Sequence, residues 1–305
     1  MRTDFYYESR CGGRLHGCRW TPEGEPKAVL QIVHGIAEYA QRYDDFANYL
    51  TTQGYLVVAE DHMGHGKSIS QQAPQGCVPG GWEGAVADTY RLLTDTKAEF
   101  PELPYVLFGH SMGSFMARTI LAKYPDSGIA AAIICGTGWQ PGAVLKAGKL
   151  ACKLVAKKNG LNTPSKFLQS MAFGSYNKRV EHPRTVYDWL SRDSHIVDAY
   201  AADSLCGFAP SAGLMGAMME GIGYIQNEKN MAMMKKDLPV FFIAGGDDPV
   251  GPYGDGVIRV ADAFRKVGME QVDVKIYPLC RHEILNEINK EEVYADVTEW
   301  LEKTL

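Results

Sequence analysis

A serine with a glycine two residues to either side, in Gly109-His110-Ser111-Met112-Gly113, is the sharpest chemical signal in this chain of 305 residues. The apolar run Tyr105-Val106-Leu107-Phe108 precedes it, and a helical pattern from Met112 to Tyr124 follows. Small residues at those two places let a strand turn sharply into a helix, which strains the serine and exposes its hydroxyl. Ser111 in that setting is a candidate nucleophile for acyl transfer.

Serine alone is a weak nucleophile, so it needs a base, and the base needs a third group to orient it. After a strand-turn-helix nucleophile these follow in the order acid, then histidine. Three histidines come after Ser111: His182, His195 and His282. The first two lie in a long helical stretch, whereas His282 follows the strand-like run Val272 to Tyr277 in a short loop and is the expected base. The acid belongs in the loop Gly246-Asp247-Asp248-Pro249-Val250-Gly251. Neighbouring carboxylates cannot both reach one imidazole. Asp248 is preferred because Pro249 fixes the backbone after it, and Asp247 is the alternative.

The developing oxyanion needs two backbone N–H donors. One is Met112, directly after the serine. The other is Ile36 in His34-Gly35-Ile36-Ala37-Glu38, where Gly35 permits close backbone approach. The His34 side chain reads as a support for that loop. His62 and His65 lack the helical i, i+4 spacing and nearby Glu of a zinc hydrolase, so they read as loop packing. No metal or organic cofactor is expected for the reaction, and no dinucleotide fingerprint is present.

These residues require a parallel sheet to hold them. Short apolar runs, Ala28 to His34, Tyr55 to Asp61, Tyr105 to Gly109, Ile129 to Cys135, Val240 to Gly245 and Val272 to Tyr277, alternate with helical patterns. That alternation predicts an α/β fold with a mostly parallel, doubly wound sheet. Phe5 to Glu8 and Leu15 to Trp20 predict a hairpin on an antiparallel edge. Helices are expected over Tyr43 to Gln53, Gly84 to Phe100, Met112 to Tyr124, Tyr253 to Val267 and Lys290 to Leu301. Between Cys135 and Val240 the alternation stops for about a hundred residues, far more than a crossover needs. The expected organisation is therefore a core of residues 1–136 and 238–305 with a helical cap inserted at 137–237.

Together, His34-Gly35-Ile36-Ala37-Glu38-Tyr39-Ala40-Gln41-Arg42-Tyr43, Asp61-His62-Met63-Gly64-His65-Gly66-Lys67-Ser68, Gly109 to Gly113, Asp248-Pro249-Val250 and His282 resemble the motifs of the monoacylglycerol lipase and lysophospholipase branch of the α/β-hydrolase superfamily. The likeness runs from about Ala28 to Val144 and again from Leu238 to the end. It implies an α/β-hydrolase fold with Ser111, Asp248 and His282 as a triad. It also implies a serine carboxyl-ester hydrolase forming an acyl-enzyme, with a monoacylglycerol or lysophospholipid as substrate. The rival readings are amide, peptide or other small-ester hydrolysis on the same triad, and a binding protein without catalysis.

Composition narrows the partners. With 46% hydrophobic and 22% charged residues and a net charge of −5, the chain is globular and carries no basic footprint for nucleic acid. Seven cysteines at irregular spacing form no disulfide framework, and the first residues lack a signal peptide's apolar core, so a cytoplasmic protein is expected. No apolar stretch is long enough to span a bilayer. The expected partner is a small acyl ester, while the oligomeric state stays open.

The small net charge conceals an asymmetry. Residues 137–237 carry thirteen Lys and Arg against eight Asp and Glu, a net of +5, which leaves −10 elsewhere. Seven of twelve methionines fall in the same stretch, and flexible thioethers suit a pocket for chains of varied shape. Helical spacing between Ala143 and Lys158 groups Val144, Ala147, Leu150, Ala151 and Leu154 on one face and lysines around another. That face is expected to line an acyl tunnel, with peripheral contact to a lipid surface as a weaker addition.

Overall fold

In the computed structural model, which describes residues 1–305, eight strands form a single sheet. They are β1 (Arg2–Glu8), β2 (Arg14–Trp20), β3 (Ala28–Val33), β4 (Tyr55–Glu60), β5 (Tyr105–His110), β6 (Ala131–Cys135), β7 (Val240–Gly245) and β8 (Val272–Tyr277). Their order across the sheet is β1-β2-β4-β3-β5-β6-β7-β8. The hairpin pairs antiparallel on one edge, and β3 to β8 run parallel. This is the expected α/β-hydrolase architecture, with most element ends within two or three residues of the sequence reading.

Strands β3 to β7 are buried on both faces, which explains their unbroken apolar runs. Alternate side chains feed two cores. Leu30, Ile32, Phe108, Ile133 and Ile243 pack with Phe46 and Leu50 of α1 (Asp44–Thr52) and Val293 and Val297 of α10 (Lys290–Thr304). On the opposite face Val29, Val33, Leu107, Ile134 and Phe242 meet α2 (Gly81–Glu99), α3 (Met112–Lys123) and α9 (Asp255–Lys266).

Between β6 and β7 the chain forms α4 (Gly142–Asn159), α5 (Lys166–Phe173), α6 (Ser194–Ala202), α7 (Ala212–Ile225) and the short α8 (Glu228–Met231). Helix α7 is apolar and packs on α2, α3 and α4. The face of α4 that it covers is Leu145, Gly148 and Cys152, which corrects the grouping read from spacing. Val144 and Ala147 line a cavity, but Leu150 and Leu154 are 58% and 60% exposed. The rotation of α4 about its axis is set by the close approach of Gly148 to Met219, where an added Cβ would lie 3.1 Å from that side chain. Spacing alone cannot specify which neighbour the helix docks against. No helix is long and apolar enough to cross a membrane.

Candidate active site

The loops that follow β3, β5, β7 and β8 converge at the carboxyl end of the sheet, where open α/β sheets place ligands. Ser111 sits between β5 and α3 with φ 53° and ψ −119°, a left-handed conformation costly for any residue but glycine. The surroundings enforce it. A Cβ on Gly109 would lie 2.5 Å from the Gly113 carbonyl, and one on Gly113 would lie 1.9 Å from the Val33 carbonyl. The turn is locked further by Ser111 N–H donating to Cys135 O (3.0 Å) and Ser114 N–H donating to Ser111 O (2.9 Å).

His282 Nδ1 lies 2.9 Å from Asp248 Oδ2, and the Val250 amide donates to Asp248 Oδ1 at 2.8 Å. Asp248 is fully buried. Asp247 is partly exposed and only its amide is engaged, by Cys280 O. The structure therefore brings Asp248, and not Asp247, to the imidazole. The His282 ring is bracketed by Trp189 (centroids 5.1 Å apart) and His110 (4.7 Å), and its amide donates to Trp189 O. No hydrogen bond joins Ser111 Oγ to His282; the two residues meet at the wall of one cavity. Such bonds often tighten only when substrate is present.

Ile36 and Met112 line the same cavity. Met112 opens α3, so its amide is one of those a helix cannot pair internally, and the Ile36 amide donates to no backbone acceptor. His34 holds this loop. Its Nε2 accepts from the His62 amide at 3.0 Å, Nδ1 bonds the Gly35 carbonyl at 2.7 Å, and His62 Nε2 bonds His34 O at 3.0 Å. His65 packs beside them, against Phe208.

A buried ionic network escaped the sequence reading. Glu38 Oε1 accepts from the Gly35 amide (2.6 Å) and Tyr43 OH (2.9 Å) and faces His110 Nδ1 (3.2 Å), while Oε2 accepts from Arg42 (2.8 Å). Arg42 also clasps both oxygens of Glu283 at 2.7 Å. His110 Nε2 meets the His282 carbonyl at 3.3 Å. With an acceptor at each ring nitrogen, His110 satisfies both only as an imidazolium. Burial pushes its pKa down, but the hydrogen bond and charge of Glu38 outweigh this and raise it. Burial likewise pushes the Glu38 carboxyl up, yet His110 and Arg42 hold it well below the usual range. The network ties the loop after β3, the turn at Ser111 and the loop after β8 together. Its sequence trace is slight: a Glu and Arg four apart, and an acid beside His282.

The cavity has a volume of about 730 Å³, within the roughly 300–1,000 Å³ of small-molecule sites. Beyond the polar end its walls are largely apolar, including Phe115, Phe173, Met218, Met219 and Ile222.

A model of the family described as Hydrolase_4, serine aminopeptidase S33, matches residues 24–289. The chain belongs to this family. The monoacylglycerol lipase of Mycolicibacterium smegmatis is 30% identical over 285 residues, 92% of this chain and 90% of that one. A thermostable carboxyl esterase from Bacillus coagulans, solved with glycerol, superposes with a TM-score of 0.92 at 28% identity, covering 99% of this chain and 98% of the other. A lipase in its open form gives a TM-score of 0.88 at 25% identity over 100% of this chain and 99% of its own. The hydrolase is thus a carboxylic ester hydrolase of the α/β-hydrolase superfamily, acting on a small-molecule ester.

Proposed function

We propose that the hydrolase cleaves a single-chain acyl ester, a monoacylglycerol or lysophospholipid, through an acyl-enzyme. The cavity carries this reading. Its polar end holds Ser111, His282, Ile36 and Met112, and its apolar walls suit one hydrocarbon chain. Ser111 Oγ attacks the ester carbonyl as His282 takes its proton, and Asp248 holds the imidazole in the tautomer that leaves Nε2 free. The Ile36 and Met112 amides bind the oxyanion. His282 then gives its proton to the departing alcohol, and water deacylates the serine by the same base.

Residues 137–237 act as the cap in this reading, supplying Phe173, Trp189, Met218 and Met219 to the cavity wall. The exposed Leu150, Leu154, Leu161 and Phe167, near exposed lysines of α4, suit peripheral contact with a lipid surface. Seven unpaired cysteines suit a reducing compartment, here the cytoplasm.

One observation weighs against peptide hydrolysis from an amino terminus, which would need a free carboxylate to hold the ammonium. The carboxylates lining the cavity are Glu38 and Glu283, and both are engaged by Arg42. A fluorophosphonate probe combined with a panel of monoacylglycerols, lysophospholipids, short nitrophenyl esters and aminoacyl anilides tests the reading. Expected are labelling that vanishes in Ser111→Ala and preferred turnover of the single-chain lipids. Labelling that survives Ser111→Ala, or faster anilide than ester cleavage, would overturn it.

A further inference from the structure

The N-terminal hairpin carries a cluster with no part in the ester chemistry. Asp4 on β1 lies directly opposite Cys18 on β2, and His16 is two residues from Cys18 on the same face. Asp4 Oδ2 is 3.1 Å from His16 Nε2, Asp4 Oδ1 is 3.8 Å from Cys18 Sγ, and Sγ is 4.0 Å from Nε2. Bonds of about 2.0–2.3 Å at a tetrahedral angle place neighbouring zinc ligands roughly 3.3–3.6 Å apart. With each Asp4 distance taken to a different carboxylate oxygen, the three pairs lie within about half an ångström of that spacing.

The surroundings match as well. Asp61 Oδ2 accepts from His16 Nδ1 at 2.8 Å, the carboxylate–histidine arrangement that leaves the other ring nitrogen for a metal. Asp61 is itself held by the amides of Ala40 and Lys67 at 2.8 Å. His16 and Cys18 are buried, whereas the Asp4 side chain is 32% exposed and opens the cluster to solvent.

We infer that Asp4, His16 and Cys18 bind one zinc ion, with water as the fourth ligand. On binding, bonds form from zinc to Sγ, Nε2 and an Asp4 oxygen. The thiol proton and the Nε2 proton of the imidazolium pass to solvent. Two positive charges replace two protons, so the local charge is unchanged. Arg2 and Lys67, 3.5 and 2.6 Å from Asp4, remain its partners. The ion would pin β1 to β2 within the hairpin, independently of the catalytic reading.

Titration of the full chain with Co²⁺, followed by thiolate-to-cobalt charge-transfer absorption, tests this. Expected are one Co²⁺ per chain, displacement by Zn²⁺ and a rise in Tm with Zn²⁺, all retained in Ser111→Ala. Cys18→Ala should abolish the charge-transfer band, and Asp4→Asn should weaken binding about tenfold or more. No band at equimolar Co²⁺, or a band that survives Cys18→Ala and disappears in Cys11→Ser, would overturn the site. Should Cys18→Ala fail to fold by circular dichroism, Asp4→Asn decides, and unchanged Co²⁺ affinity there is equally fatal.

Discussion

Asp248 engages His282 with one carboxylate oxygen, at 2.9 Å, while its other oxygen is held by the Val250 amide at 2.8 Å. The acid is thereby fixed in rotation as well as position. Asp247, one residue earlier, is partly exposed, and its carboxylate makes no hydrogen bond.

The two aspartates should therefore separate cleanly on mutation. Asp248→Asn is expected to lower kcat on a nitrophenyl ester by about 10²–10⁴-fold, through loss of the correct imidazole tautomer. Asp247→Asn should stay within about threefold of wild type. Equal losses in both variants would remove Asp248 from the role proposed for it.

Arg42 compensates two buried carboxylates, Glu38 and Glu283. Arg42→Ala removes the cation that clasps Glu283 and leaves Glu38 with His110 as its one ion-pair partner, which should cost about 3–5 kcal/mol in urea unfolding. Glu38→Gln keeps the shape but weakens the hold on the Gly35 amide and His110. Because Glu38 holds the loop proposed to bind the oxyanion, its loss should appear in kcat with little change in KM. A loss confined to KM would place Glu38 in substrate binding instead.

Helix α4 offers a test of chain-length selection. Gly148 lines the cavity against Met219, so Gly148→Leu should fill it and slow long acyl esters at least tenfold more than short ones. Leu150→Ser and Leu154→Ser lie on the exposed side. They are expected to spare soluble short esters and reduce turnover only of monoacylglycerol presented in vesicles. A matching loss on both substrate forms would argue against lipid contact.

Burial holds His65 neutral, assisted by His62, with its pKa lowered to about 4 from 6.5. A depressed pKa gives stability that is present above about pH 6.5 and is lost as pH falls towards 4. The linkage amounts to about 3 kcal/mol. Urea midpoints at pH 7 and pH 4 should show His65→Gln losing about that much less than wild type over this interval. Parallel losses in the two proteins would show that His65 is not the titrating group.

Much of the molecule is legible along the chain because the relevant physics is local. Apolar runs with helical stretches between them specify a parallel sheet, and two glycines around Ser111 specify a turn that larger residues would obstruct. The order of acid and histidine follows from which loops end at the carboxyl edge of such a sheet. Tertiary structure alone decides the rest, since it depends on contacts between distant segments. Asp248 rather than Asp247 meets His282 because the loop after β7 packs on the loop after β8. Leu150 and Leu154 face outward because α4 docks on α7 through Gly148. Glu38, Arg42, His110 and Glu283 come together from two loops and the end of β5, and Asp4 meets His16 and Cys18 only through the hairpin register. In each case a period or motif leaves open the rotation, register or partner that packing then fixes.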